Sequence, residues 1–207
     1  MNIVVDYGAG NLSSLLRALE LVGLDAQISD NPEVINEATS IILPGVGAFR
    51  AAMDELKKRN LIDVLVRKAQ EGTPFLGICL GMQLLFEFSE EEGISEGLGL
   101  LKGQVKRIPD TVKVPHMGWN SLVFHKKDPI LEKNLEGDYV YYVHSFYVLS
   151  NDDHLVAYSD YGVKVPGIVR SENIYGMQFH PEKSSKAGLN LLRTYKELVT
   201  IETISGN

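Results

Sequence analysis

Cys79 is the only cysteine of the 207-residue chain and sits in Gly77-Ile78-Cys79-Leu80-Gly81, with a glycine two residues away on each side. A G-x-C-x-G turn is the thiol counterpart of the G-x-S-x-G elbow, where small neighbours allow a tight strand-to-helix turn that pushes the reactive atom outward. The positive end of a helix beginning there favours thiolate over thiol, and the thiolate is the reactive species. A lone cysteine is also often a small buried core residue, so the motif by itself leaves both readings open. A thiol nucleophile needs a base to take and return its proton, and the base needs a group that orients it. His180-Pro181-Glu182 offers an imidazole with a carboxylate two residues on, although the same triplet also suits a surface histidine beside a common acidic residue. Taken together, the three side chains would make a thiol nucleophile, its base and the group that orients the base.

The elements around these residues decide whether they can meet. Phe75 to Ile78 is a short apolar run suited to a buried strand, and Met82, Leu84, Leu85 and Phe86 continue as a helix-compatible segment, which puts Cys79 at the joint. Upstream, strand signals at Asn2 to Val5, Ala26 to Ile28 and Ser40 to Leu43 alternate with helical ones. Leu12, Leu15, Leu16, Leu19 and Val22 mark one helical face that Gly23 can end, Asn31-Pro32 reads as a helix start, and Phe49 to Ala69 is helical with a break near Asn60. Strands separated by helices imply right-handed crossovers and a parallel sheet, whose carboxyl edge is where ligands bind. Gly45 and Cys79 both fall at that edge, and so does His180 after the apolar run Ile174 to Phe179.

The second half is β-rich, with strand signals at Gln104 to Ile108, Ser121 to Phe124, Tyr139 to Tyr147, Leu155 to Ser159, Gly167 to Arg170 and Ile174 to Phe179, joined mainly as hairpins. A last amphipathic helix carries Leu189, Leu192, Tyr195, Leu198 and Val199, with Ser184-Ser185 as its cap. The acidic run Glu87, Glu90, Glu91 and Glu92 reads as a solvated helix end.

Composition removes several classes of function. A net charge of -7 without a basic cluster argues against a nucleic-acid partner, and one cysteine excludes an intramolecular disulfide. The amino terminus has no signal-like pattern and nowhere is an apolar run long enough to span a bilayer, so no membrane association is expected and a reducing cytoplasm is the expected location. His116, His125, His144 and His154 lack ligand-like spacing with Cys79 or one another, so neither a metal nor another cofactor is expected. Gly8-Ala9-Gly10-Asn11-Leu12-Ser13, with Asp30 further on, imitates a dinucleotide fingerprint, but Ser13 stands where the third glycine is required.

In this order, Pro44-Gly45-Val46-Gly47-Ala48-Phe49, the elbow continued to Gln83, and Gln178-Phe179-His180-Pro181-Glu182-Lys183-Ser184 resemble the class I (triad) glutamine amidotransferases over essentially the whole chain. The segment Pro115-His116-Met117-Gly118-Trp119-Asn120 narrows the likeness to the glutaminase subunits of imidazole glycerol phosphate synthases, since general class I glutaminase domains lack it.

The resemblance implies one domain over residues 1–207 with an α/β class I amidotransferase fold: an open, mostly parallel central sheet flanked by helices, with an added β-rich second half. It implies hydrolysis of glutamine by Cys79, His180 and Glu182, with an oxyanion hole built from Leu80 and the Gly45-Val46-Gly47 loop. That loop's peptide is expected to point its N–H away until a partner turns it inward, glycine at 45 and 47 permitting unusual backbone angles. Gln83, Glu91 and His144-Ser145-Phe146 would bind the glutamine. Pro115 to Asn120, with Met117 and Trp119 as anchors, would face a separate cyclase subunit, a (β/α)8 barrel, in a heterodimer of histidine biosynthesis. Other readings of the residues are a glutaminase serving a different synthase, a non-catalytic regulatory protein that keeps the fold, and a cysteine peptidase or hydrolase with no partner.

Overall fold

The structure of the protein, a computed structural model, describes residues 1–8, 10, 12–150 and 152–205. Ala9 and Asn11, in the turn that imitates a dinucleotide loop, lie outside the described residues.

The strands β1 (Asn2–Val5), β2 (Ala26–Ser29), β3 (Ser40–Leu43) and β4 (Phe75–Ile78) alternate with α1 (Leu12–Leu21), α2 (Pro32–Asn36), α3 (Phe49–Lys58) and α4 (Ile62–Gln70). Every residue of β3 and β4 is buried, as continuous apolar runs require in a sheet covered on both faces. α1 buries Leu15, Ala18 and Leu19 and gives way to Gly23 at φ +74. α2 starts as its sequence dictates, the Asn31 side chain accepting from the Glu33 N–H at 2.8 Å ahead of Pro32. Asn60, at φ +59, separates α3 from α4.

Beyond the elbow come α5 (Leu80–Leu84), β5 (Phe86–Ser89), β6 (Ser95–Glu96), β7 (Leu101–Arg107), β8 (His116–Ser121), β9 (Val123–Phe124), β10 (Tyr139–His144), β11 (Phe146–Ser150), β12 (Leu155–Asp160), β13 (Lys164–Ser171), β14 (Ile174–Met177) and α6 (Ser185–Ser205). The main sheet has the order β2-β1-β3-β4-β14-β13-β12-β9. Its first five strands are parallel, and β13, β12 and β9 extend it antiparallel. A ribbon of β8 and β10 and a sheet of order β11-β7-β5-β6 account for the remaining strands.

Alternation along the central strands splits the core between the two faces of the sheet. Val4, Ile42, Leu76 and Met177 pack with α1 and α6 on one face, while Ile3, Val5, Ile41, Leu43 and Phe75 pack with α2, α3 and α4 on the other. Truncating a fully buried member such as Leu19 to alanine would cost about 2–5 kcal/mol. Among the described residues no helix is long and apolar enough to cross a membrane.

Four local expectations are corrected. The helix after the elbow stops at Leu84 and Phe86 already opens β5, so the acidic run is the end of a strand and the turn after it, with Glu92 at φ +54. Tyr139 to Tyr147 is two strands in two sheets, broken at Ser145: up to His144 the chain pairs with β8, and from Phe146 it pairs with β7. Ser121 to Phe124 likewise divides at Leu122, and β8 begins earlier, at His116. The Ser184 hydroxyl does not cap α6; it donates to the His180 carbonyl at 2.6 Å and accepts from the Tyr141 N–H at 2.9 Å.

Candidate active site

β14 runs parallel beside β4 with Met177 opposite Ile78, so the residues leaving both strands emerge at the same carboxyl edge. Cys79 leaves β4 at φ +55 and ψ -112, a conformation costly for any side chain and held here by the elbow. The Cys79 N–H donates to the Met177 carbonyl at 2.7 Å. The glycine at 81 is there because backbones meet: a Cβ would overlap the Leu43 carbonyl oxygen of the adjacent strand.

His180 follows β14 and is 4% exposed. Its Nδ1 lies 2.8 Å from Glu182 Oε1, while its Nε2 has no hydrogen-bond partner among the described residues. Burial opposes the imidazolium, but the adjoining Cys79 and the Glu182 carboxylate outweigh it and raise the His180 pKa from 6.5 to about 9. The three predicted side chains therefore come together, carboxylate to imidazole to thiol.

The loop after β3 reaches the elbow. The Leu80 N–H, the first expected oxyanion donor, is occupied by the Gly45 carbonyl at 3.3 Å. The Tyr7 hydroxyl donates to the Pro44 carbonyl at 2.8 Å and holds the loop from beneath. Of the two glycines, Gly47 takes a left-handed φ of +103; Gly45 does not, and is glycine because a Cβ would collide with the Tyr7 hydroxyl. The expectation of unusual backbone angles at both is corrected at Gly45.

A cavity of about 360 Å³ opens over Cys79, walled by Val46 and Gly47 on one side and Val143 to Phe146 on the other, with Leu80, Gln83 and Glu91 also lining it. The Gln83 amide donates to the Phe146 carbonyl at 2.9 Å and to Gln178 Oε1 at 3.1 Å. Glu91 accepts from the Phe49 N–H, the first of α3, at 2.8 Å. His144 reaches the wall but both its ring nitrogens are engaged within the protein, by Phe146 and His116. A larger groove of about 800 Å³ beside α3 is lined by Arg50, Asp54, Asp63 and Glu96, away from Cys79 and His180.

The segment Pro115 to Asn120 alternates as a strand should. Met117 and Trp119 are 63% and 53% exposed, and Trp119 meets Tyr141 edge-on at 5.9 Å between ring centres. His116 is the correction here: it is buried, pointing away from the face that carries Met117 and Trp119. Sequence reasoning missed Tyr7, Val143 and Gln178. Gln178 sits inside the quoted Gln-Phe-His motif and its Nε2 lies 3.9 Å from Cys79 Sγ, and Tyr7 follows a parallel strand at its ligand-binding end, a usable signal.

Residues 3–195 match the family described as glutamine amidotransferase class-I. The chain is 50% identical over 203 residues to the imidazole glycerol phosphate synthase subunit HisH of Geobacillus sp. (strain WCH70), covering 95% of this chain and 96% of that protein. It is 50% identical over 200 residues to the HisH subunit of Oceanobacillus iheyensis, covering 96% of this chain and 100% of that one. A solved glutamine amidotransferase structure superposes with a TM-score of 0.76 at 19% identity, covering 96% of this chain and 98% of its own, which speaks for the fold. The chain belongs to the class-I glutamine amidotransferases and, within them, to the family of the HisH subunits of imidazole glycerol phosphate synthase.

Proposed function

We propose that this chain is the glutaminase subunit of an imidazole glycerol phosphate synthase, releasing ammonia from glutamine for a cyclase subunit in histidine biosynthesis. The observation that carries the reading is the buried His180–Glu182 pair, at 2.8 Å, next to a cysteine held at positive φ on the floor of the cavity.

Cys79 Sγ attacks the side-chain amide carbon of glutamine, forming the C–S bond and placing charge on the carbonyl oxygen. The C–N bond then breaks as His180 delivers its proton to the departing nitrogen, and a raised His180 pKa keeps that proton available at neutral pH. Water, deprotonated by His180, cleaves the thioester and frees glutamate and Cys79. Glu182 holds Nδ1 throughout, fixing the ring so that Nε2 serves the reaction. Gln83, Glu91, His144, Ser145 and Phe146 surround the rest of the glutamine.

The oxyanion hole is closed at rest, because the Gly45 carbonyl takes the Leu80 N–H. Turning the Gly45–Val46 peptide would free that donor and present the Val46 N–H as a second. One such donor is worth about 3–4 kcal/mol in the transition state, so the closed loop suppresses glutamine hydrolysis until a partner binds. Free ammonia in neutral water is mostly non-nucleophilic ammonium, which is why hydrolysis should wait for an acceptor. The partner is a (β/α)8-barrel cyclase in a cytoplasmic heterodimer, docking on the Met117–Trp119 face.

The test is a Cys79→Ala variant in complex with the cyclase. Synthesis supported by glutamine should vanish while synthesis supported by ammonium salts persists; glutamine-supported turnover in the variant would overturn the mechanism.

A further inference from the structure

Between the exposed face of β8 and the cavity wall lies a chain of hydrogen bonds through two buried imidazoles. The Asn120 amide approaches His116 Nε2 at 3.4 Å, His116 Nδ1 lies 2.9 Å from His144 Nε2, and His144 Nδ1 lies 2.8 Å from the Phe146 carbonyl. One assignment of protons satisfies the whole chain. The Asn120 amide donates to His116 Nε2, the His116 Nδ1–H to His144, and the His144 Nδ1–H to the carbonyl of Phe146, each ring neutral. The His116 ring is clamped between Tyr142, at 4.5 Å, and Tyr161, at 3.9 Å, both stacked on it. Tyr142 is fully buried and its hydroxyl is tied to Ser159 at 2.9 Å, so one jaw of the clamp is rigid. The Phe146 carbonyl at the end of the chain is the same one that holds the Gln83 amide.

We propose that His116 is a positioning residue for the glutamine site, fixing the Ser145–Phe146 wall of the cavity through His144 and tying that wall to the exposed Met117–Trp119 face of its own strand. The inference rests on the glutaminase reading above. Its physical logic is that β10 and β11 belong to different sheets and part company at Ser145: the ladder of His144 with His116 ends on one side, that of Phe146 with Arg107 begins on the other, and the Ser145 carbonyl between them accepts from the Ile108 N–H at 2.9 Å. Side-chain hydrogen bonds fasten the two ladders to each other across that junction. His144 is anchored to the segment it belongs to by Phe146, and to β8 by His116, which makes the wall a continuation of the ribbon on which a partner would sit. Neutral rings are required, since a proton on both nitrogens of either would set two donors against each other. Burial supplies this, lowering the His116 pKa to about 4; burial, together with the neighbouring His116 and His180, lowers that of His144 to about 3 despite the bond to Phe146. Apart from each other and His180, the titratable groups against the two rings are the phenols of Tyr142 and Tyr161.

The test uses the complex with the cyclase, in which wild-type glutamine hydrolysis first checks the underlying reading. His116→Phe keeps a ring in the clamp and removes the donor to His144. The KM for glutamine should rise about tenfold, with kcat changed less than about threefold, as expected for a lost buried hydrogen bond that shapes the binding wall. Affinity for the cyclase and ammonia-supported synthesis should not change. His116→Asn, which returns an N–H close to the place of Nδ1, should recover most of the loss. An unchanged KM in His116→Phe, or an equal loss in both variants, overturns the proposal. Nitrogen-15 spectra of the wild-type imidazoles decide the matter independently of how the variants fold: both rings should be neutral with Nδ1–H between pH 6 and 8. An Nε2–H form of His116, or its protonation in that window, overturns the proposal as well.

Discussion

At His180, burial and neighbouring charge pull in opposite directions, and charge prevails. The folded pKa, about 9, lies above the ordinary 6.5, so protonation favours the folded state; that stabilisation is complete below pH 6.5 and is lost as pH rises through about 9. In the proposed mechanism the same proton is the one the leaving nitrogen takes. The pH profile of kcat/KM for glutamine should therefore fall on an alkaline limb near pH 9, and Glu182→Gln, which removes a carboxylate that raises the pKa, should move that limb to lower pH. Rates measured from pH 6 to 10 on both proteins check this; a limb that stays in place shows that Glu182 does not tune the ring.

The element that would control the site on the proposed reading is the loop between β3 and α3. Its closed position rests on two hydrogen bonds, from Leu80 N–H to the Gly45 carbonyl and from the Tyr7 hydroxyl to the Pro44 carbonyl. Tyr7→Phe removes the second without changing the shape of the side chain. Glutamine hydrolysis by the chain alone should then rise about fivefold, the worth of one ordinary hydrogen bond, and glutamate release without the cyclase measures it. An unaltered basal rate would mean that Tyr7 does not restrain the loop. Gly45→Ala is a poor probe of the same idea, because its methyl group would strike the Tyr7 hydroxyl in the closed position. Much of this element, and of the parallel half of the sheet, was legible in the sequence: uniform apolar runs, a capping Asn31-Pro32 and the glycines of the elbow are local signals that the packed sheet leaves in force. The β-rich half was legible only as a set of strands. Whether Ser145 continues a strand or ends one depends on which distant strand each neighbour pairs with, and Glu91 reads as solvated surface until β5 brings it to the amino end of α3. His116 belonged to a motif that pointed to an interface, and only the alternation of β8 reveals that its side chain turns inward.

For the whole molecule, the surface on which the proposed partner would dock is the ribbon of β8 and β10. Met117, Trp119 and Tyr139 stand exposed on it, a group of large apolar side chains with little to gain from water. Trp119→Ala should weaken binding to the cyclase by about 2 kcal/mol or more, roughly thirtyfold, while leaving the melting temperature in place. Calorimetric titration with the cyclase reads the loss, and undiminished affinity would place the interface elsewhere. The molecule as a whole is a class-I glutamine amidotransferase in which Cys79, His180 and Glu182 are assembled while the Leu80 N–H is engaged by the Gly45 carbonyl. Glutamate release from glutamine, measured for the chain alone and again with the cyclase and its nucleotide ligand, tests that account most directly. The rate should rise by about 100-fold or more, as the freeing of one oxyanion donor requires, whereas a chain equally active without its partner would contradict the account.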